Sequence, residues 1–325
     1  MSFDQFRWGC ALAAVLALGS LTLAGQGEDG MNHKNQQVIR RTRGDGRWFP
    51  DDKAALSKMI NEYIDAAQVS PIKGRIIGAI SPHAGYVYSG PIAGYVFRAL
   101  REQARKGEAP DTVVILGLSH QGGCRGVALM DGDAVRSPLG ETALDKDAAA
   151  LLASNRPSIY LDYAPHNGEH SAENQIPFVQ TVLPGARLVV GLIGDHEAKT
   201  FDELSAGLLE LAKKRKLLVI ASSDLLHDPD YNHVTQTDQA SLKNVAAMKT
   251  QELLDRWSYD NQIFCGMSAV NATMRFVEKQ GCREGIVLRY SNTGDDHPDS
   301  RGKWVVGYGA VVFPLPAPRG AAARP

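Results

Sequence analysis

The sequence predicts an α/β fold with a largely parallel central sheet and helices on both of its faces. Short, continuously apolar segments of strand length alternate with longer segments in which apolar residues recur at helical spacing. This alternation is typical of βαβ units, whose parallel strands are buried on both faces. The chain has 325 residues, of which 44% are hydrophobic, so it is long enough to form a large core.

The predicted elements follow one another without an internal repeat. The first helix follows Pro50, where Asp51 or Asp52 can cap it, and runs to Ala67. Strands are predicted at 75–81, 112–119, 187–195, 217–223, 286–292 and 304–313, and further helices at 91–105, 198–214, 235–257 and 266–280. Because no change in composition interrupts residues 48–315, we expect them to form a single domain.

The two ends of the chain differ from this domain. Residues 8–24 are apolar and uncharged, which predicts that residues 1–30 are a signal peptide or an N-terminal anchor. The protein would then be periplasmic or secreted, and it would touch a membrane only through 8–24 if that segment is not cleaved. A start at Met31 would instead give a cytoplasmic protein. Residues 31–47 are basic and are predicted to be a linker, and 316–325 a disordered tail.

Composition excludes several functions. The chain carries 35 basic and 36 acidic side chains, so it offers no general attraction for nucleic acid. No glycine-rich loop has the spacing of a dinucleotide site, and we assign no organic cofactor. Four cysteines are too few for a disulfide scaffold. Without residues 1–30 three remain, namely Cys124, Cys265 and Cys282, and at least one of the three has no partner for a disulfide within the chain.

Polar residues follow three of the predicted strands. His83 comes after the first strand, His120 after the second, and Asp224 and His227 after the fourth. Each could be a simple cap or a satisfied buried group. The carboxyl ends of parallel strands meet at one edge of a sheet, however, so we expect a shared site there. A polar cluster at 169–175 opens with Glu169 and His170 and precedes a further helical segment.

Cys265 lies directly before a predicted helix. A helix N-terminus lowers the pKa of a thiol and favours the thiolate. The alternative is that this cysteine is a small buried hydrophobic residue, as free cysteines usually are. The adjacent glycine and the helix start favour a functional role for Cys265, whereas Cys124 and Cys282 fit the alternative.

Taken together, these segments resemble the Memo family, also called AmmeMemoRadiSam system protein B. The resemblance runs from Arg47 to Ala310, and it depends on five motifs occurring in one order. They are PHAGYVYSG (82–90), LGLSH (116–120), EHSAENQIPF (169–178), SSDLLH (222–227) and FCG (264–266).

The resemblance implies a fold like that of the class III extradiol dioxygenases (LigB-like), with a metal site at the strand ends. It implies that His83, His120 and Cys265 are the metal ligands. Asp224 and His227 would line the same pocket as catalytic residues, and His170 would belong to its wall. The dioxygenases have a carboxylate where this chain offers a thiolate, so the resemblance does not extend to ring cleavage.

These residues predict one bound transition metal ion, because nitrogen and sulfur ligands favour Fe(II), copper or zinc over Mg²⁺ or Ca²⁺. Our leading hypothesis is a mononuclear non-haem iron protein, with copper as the alternative, that carries out redox chemistry on a small molecule or a protein segment in the metal cleft. One alternative is a scaffold or metal-sequestering protein that uses the same cleft without turnover. Another is a cysteine- or zinc-dependent hydrolase. If the protein is cytoplasmic, the family name suggests other AmmeMemoRadiSam system proteins as partners.

Overall fold

A nine-stranded mixed sheet forms the centre of the protein in a computed structural model that describes residues 37–316, all within one compact unit. A separate sheet of three short strands completes the β-structure of that range. The predicted signal or anchor at 1–30 lies outside the described residues, as does the predicted tail beyond 316. The strands are β1 (Ile39–Arg41), β2 (Arg75–Ser81), β3 (Thr112–Leu118), β4 (Val127–Leu129), β5 (Ala134–Ser137), β6 (Gly140–Ala143), β7 (Ile159–Leu161), β8 (Arg187–Ile193), β9 (Leu217–Ser222), β10 (His227–Asp228), β11 (Ile286–Asn292) and β12 (Val305–Leu315).

Parallel strands occupy the middle of the large sheet. Its order is β10-β12-β2-β9-β3-β8-β4-β7, with β11 also paired to β12. The four neighbours β2, β9, β3 and β8 are parallel. Strand β12 is antiparallel to the strands beside it, whereas β4 is antiparallel to β8 and parallel to β7. The predicted α/β class with a largely parallel centre is therefore confirmed.

Helices cover both faces of this sheet. They are α1 (Lys53–Ala66), α2 (Tyr86–Arg105), α3 (Lys146–Ala153), α4 (Ile176–Val182), α5 (Ala198–Ala212), α6 (Tyr231–Ala246), α7 (Thr250–Arg256), α8 (Met267–Lys279) and α9 (Thr293–Asp296). Successive residues of β3 join different apolar clusters: Val113 and Ile115 pack with α1, α2 and α4, while Val114 and Leu116 pack with α3, α5 and α8. The sequences of these strands are continuously apolar because both faces of the strands are buried.

Two local predictions need correction, and a third, which left two candidates for the cap of α1, is resolved. Helix α2 begins at Tyr86 rather than at Pro91, since the Tyr86 ring is buried against Phe49 and Phe178 and anchors the extra turn. The helix predicted at 235–257 is split into α6 and α7, because Met248 adopts a left-handed φ of 56° that ends the first of them. The predicted cap of α1 is Asp52, whose side chain accepts the N–H of Ala55 at 2.8 Å.

The basic segment at 31–47 is partly folded. Its residues 39–41 form β1, which pairs in parallel with β5, so this part is a strand and not a linker. The backbone N–H groups of Arg43 and Gly44 donate to the Glu173 carboxylate at 2.5 and 2.6 Å. These contacts hold the segment against the polar cluster at 169–175.

Of the helices within 37–316, none combines the length and the apolar character needed to span a membrane.

Candidate metal centre

The strand ends bring the predicted residues to one edge of the sheet. His83, His120 and Asp224 each lie two residues beyond the last residue of β2, β3 and β9, respectively. The strands are in register there, with Ser81 opposite Ser222. Topology therefore places these three side chains at the same edge, as the sequence predicted.

Three histidines form the centre of the site. One ring nitrogen from each of His83, His120 and His170 lies within 4.8 Å of the others. Burial, and after it the nearby His120, lowers the pKa of His83 to about 3. The pKa of His170 is also lowered to about 3, by burial and then by the two other rings. His83 and His170 are therefore neutral at pH 7, which is the state in which imidazole binds a metal.

Glu169 fixes the loop that carries His120. Its Oε1 lies 2.9 Å from His120 Nδ1, and its Oε2 accepts the backbone N–H of His120 at 2.7 Å. Oε1 also accepts the N–H groups of His170 and Ser171 at 2.8 Å each. Burial alone would raise the pKa of Glu169, but its hydrogen bond to His120 and these N–H groups hold that pKa at about 2.

Cys265 lies beside this cluster, two residues before α8. Its Sγ is 3.4 Å from His120 Nε2, and its backbone N–H donates to the Asp224 carbonyl at 3.1 Å. The expected fall in its pKa is wrong. Burial raises the pKa of the thiol well above its usual range, and the carboxylates of Asp224 and Glu169 raise it further. The helix start does not outweigh these effects, so a bound cation would be needed to favour the thiolate.

The buried Asp224 and the partly buried His227 form a pair next to His83. Asp224 Oδ1 accepts the N–H groups of His83 and Ala84, while Oδ2 lies 3.9 Å from His83 Nε2 and 4.0 Å from His227 Nε2. Burial raises the pKa of Asp224 and lowers that of His227. Both shifts favour neutral forms, so the pair can hold a proton beside the cluster.

His170 is stacked between two other rings. Trp48 lies on one side, with ring centroids 3.8 Å apart and planes 4° apart, and His120 lies on the other at 4.7 Å and 12°. The sequence alone assigns no role to Trp48, Glu169, Ser222 or Gln175, although Trp48 lies next to Arg47, where the resemblance begins, and the other three lie within its motifs. Their roles depend on contacts between distant parts of the chain.

The geometry can be tested against a single metal ion. The Nε2 atoms of His83 and His227 are buried and have no hydrogen-bond partner among the described residues, which leaves both atoms free to bind a ligand. A metal lies in the plane of each imidazole that binds it, so the parallel, stacked rings of His120 and His170 cannot readily share one. The His83 ring is at 81° to His120, and its plane does intersect that of His120.

Cys265 suits the third ligand position better than His170. Ligand atoms at about 2.0 Å for nitrogen and about 2.3 Å for sulfur around one tetrahedral ion lie about 3.5 Å apart. The distance from Cys265 Sγ to His120 Nε2 is 3.4 Å. The Cys265–His120 pair therefore has the spacing of two ligands of one ion, while the three ligand atoms that lie within 4.8 Å of one another belong to His83, His120 and His170.

A cleft of about 600 Å³ opens next to this centre. Trp48 lines it on the side of His170, and Trp304, whose ring lies 6.2 Å from that of His227, lines it on the other. Arg47 supplies a charged side chain among lining residues that are mostly aromatic or apolar. The lining reaches Ala84, the residue after His83, but includes none of the histidines of the centre.

Comparisons with known proteins show the family of the chain. The family model described as "Memo-like protein" matches residues 40–312. A MEMO1 family protein of Nitrosopumilus maritimus is 31% identical over 282 residues, covering 85% of this chain and 100% of the relative. One from Methanopyrus kandleri is 31% identical over 278 residues, covering 82% and 96%.

A solved structure of an uncharacterized protein from Escherichia coli K12 aligns with a TM-score of 0.46 and 12% identity, over 73% of this chain and 99% of that one. That likeness is too slight to bear on function. The family model and the archaeal relatives each span most of the sequence, and the chain belongs to the Memo family.

Proposed function

We propose that the protein is a mononuclear metal-dependent redox enzyme in which His83, His120 and Cys265 bind Fe(II), with copper as the alternative ion. The observation that carries this proposal is the 3.4 Å approach of Cys265 Sγ to His120 Nε2, beside the unpaired Nε2 of His83. A sulfur ligand beside two nitrogens favours these metals. The bound ion would supply redox chemistry and would stabilise the Cys265 thiolate.

The protein's own groups would manage protons at the site. Asp224 Oδ2 lies between His83 Nε2 and His227 Nε2, and burial shifts the pKa of Asp224 upward and that of His227 downward. At 4.0 Å the two groups are too far apart for a direct hydrogen bond, so a proton would pass between them through a bridging water or through the reactant. We therefore assign Asp224 and His227 to proton transfer with the reactant, and His170 to the wall against which the reactant binds.

The reactant would reach the site through the cleft between Trp48 and Trp304. A volume of about 600 Å³ is in the range of small-molecule sites. A small molecule or an extended peptide segment could present its reacting group there.

The raised pKa of Cys265 disfavours a metal-free cysteine hydrolase. Such an enzyme needs a thiolate, usually formed by a neighbouring base or cation, whereas Asp224 and Glu169 act on Cys265 in the opposite direction. The zinc hydrolase differs from our proposal in its bound metal, and the scaffold differs in having no turnover. Both differences can be measured.

Anaerobic purification followed by elemental analysis and metal-edge X-ray absorption tests the proposal. We expect one equivalent of iron or copper with a sulfur neighbour at about 2.3 Å. Cys265→Ser should lose that sulfur signal and most of the metal, while His170→Ala and the distant Cys282→Ser should keep both.

Two outcomes would contradict the proposal. If Cys265→Ser kept its full metal content and an unchanged spectrum, Cys265 would be excluded as a metal ligand. If only His170→Ala lost the metal, the ligands would instead be the three histidines. Zinc as the resident ion would support the hydrolase. Stoichiometric iron that never changes oxidation state with O₂ and a chemical reductant would support the scaffold.

A further inference from the structure

We propose that Ser222, held in place by Gln175, is a positioning residue that keeps the His83 ring proton on Nδ1 and leaves the lone pair of Nε2 facing the metal position. The inference rests on the proposed function in one respect, since the lone pair serves a metal ligand. It is carried by a chain of hydrogen bonds whose directions can be worked out from the partners.

The first link is the Gln175 amide. Its Nε2 lies 2.9 Å from the carbonyl oxygen of Pro82 and 2.8 Å from Ser222 Oγ. A carbonyl can only accept, so the atom facing Pro82 must be the NH₂ group. The opposite orientation would bring two acceptor oxygens together. Gln175 therefore donates to Ser222 Oγ as well.

The second link is the Ser222 hydroxyl, which has one proton to donate. Its Oγ lies 2.5 Å from the carbonyl oxygen of Ser171, which can only accept. The proton is therefore used there, and Oγ offers only lone pairs to its other neighbours. One lone pair accepts from Gln175, and the other faces His83 Nδ1 at 3.3 Å.

The third link is His83. Because the Ser222 oxygen facing it can only accept, Nδ1 must carry the proton, and in a neutral imidazole Nε2 then has the lone pair. That Nε2 is buried without a partner. Metal-binding histidines commonly donate their other N–H to a fixed acceptor, which sets the tautomer.

One short segment thereby prepares both histidine ligands. Glu169 supplies the acceptor for His120 Nδ1, and Ser171 and Gln175, two and six residues later, orient the hydroxyl that faces His83. His120 has an anionic partner and His83 a neutral one. The segment EHSAENQ thus favours the same Nδ1–H tautomer at both histidines, while its own His170 is stacked between Trp48 and His120.

Nitrogen NMR of the metal-free protein labelled with ¹⁵N-histidine tests the inference directly. The His83 signals are assigned by their loss in His83→Gln. We expect Nδ1 of His83 to be protonated in the wild type. In Ser222→Ala the fraction with the proton on Nε2 should rise, and the dissociation constant for Fe(II) should increase by about 10- to 100-fold.

Two further variants separate positioning from packing. Ser222→Thr keeps the hydroxyl and should restore the wild-type tautomer and affinity. Ser205→Ala removes a buried hydroxyl that has no hydrogen-bond partner, and it should change neither. If Ser222→Ala does not fold, the NMR measurement of the His83 tautomer in the wild type still tests the inference.

A wild-type His83 protonated on Nε2 would overturn the inference, as would an unchanged tautomer in a folded Ser222→Ala. A different result would show that the proposed function is wrong while this inference holds. In that case the Nδ1–H tautomer would be observed, but the wild type would bind no iron or copper.

Discussion

The Glu169 carboxylate holds His120 by both of its oxygens. Oε1 lies 2.9 Å from the ring Nδ1, and Oε2 accepts the backbone N–H at 2.7 Å. The pKa of Glu169, held at about 2 mainly through its contact with His120 against the effect of burial, keeps the carboxylate ionised. An ionised carboxylate only accepts hydrogen bonds, so it fixes the proton of His120 on Nδ1 and directs Nε2 towards Cys265.

Replacing Glu169 with glutamine should weaken metal binding more than it weakens folding. The amide keeps the shape of the side chain, but its NH₂ group must face a backbone N–H or the Nδ1–H of His120. We expect the dissociation constant for Fe(II) or Cu(I) to rise by about 10- to 100-fold. Competition with a chromophoric chelator measures this change.

Glu141→Gln is a matched control, because Glu141 is a surface residue paired with Arg136. It should leave metal affinity unaltered. Equal affinities for Glu169→Gln and the wild type would mean that His120 is oriented by something else or is not a ligand.

The sequence alone reveals part of this site. His83, His120 and Asp224 are predictable because each follows an apolar strand, and parallel strands end at one edge. The roles of Trp48 and Ser222 cannot be predicted from the sequence, because they depend on which distant segments meet at that edge. The upward shift of the Cys265 pKa cannot be predicted from the sequence for the same reason: burial among distant segments raises this pKa most, and the carboxylates that raise it further come from two other parts of the chain.

Gly117 allows the 169–175 segment to approach β3. A Cβ atom at this position would lie 2.5 Å from Ser171 Oγ and 2.7 Å from the backbone nitrogen of Ala172. Gly117→Ala must push the segment away, and Glu169 with it. We expect a loss of about 1–3 kcal/mol in the free energy of unfolding, together with weaker metal binding, measured by urea denaturation and chelator competition.

Gly191 in the adjacent strand is the comparison for this variant. A Cβ there would meet only side-chain atoms, at 3.2 Å or more. Gly191→Ala should therefore preserve metal affinity even if it lowers stability slightly. If both alanine variants lowered the metal affinity equally, Gly117→Ala would act by disturbing the sheet as a whole and not by displacing the 169–175 segment.

Trp48 should report metal binding by its fluorescence. Its ring stacks on His170 at 3.8 Å, and His170 stacks in turn on His120. Bound Cu(II) quenches nearby indoles over short distances, so we expect Cu(II) to quench the wild-type emission and to quench Trp48→Phe much less. Trp257→Phe, which alters a ring stacked on His196, should retain the quenching. The reverse pattern would place the metal near Trp257 instead.

Asp238 should make stability depend on pH. It is buried in α6, where Oδ1 accepts the N–H of Leu226 at 3.1 Å and Oδ2 accepts the hydroxyl of Tyr290 at 3.0 Å. Burial raises its pKa from 3.8 to about 7, despite these two donors. The folded protein thus binds a proton that the unfolded chain releases near pH 4, so stability must fall as the pH rises from about 4 to about 7.

The size of this effect follows from about 1.4 kcal/mol for each unit of pKa difference, which gives a contribution on the order of 4 kcal/mol at most. Asp238→Asn keeps an acceptor for Leu226 but cannot titrate, so its free energy of unfolding should fall less over this interval. Tyr290→Phe removes a donor that favours the ionised form, so the midpoint of the fall should move to higher pH. Urea denaturation at several pH values measures all three proteins, and parallel curves for the wild type and Asp238→Asn would show that Asp238 is ionised throughout.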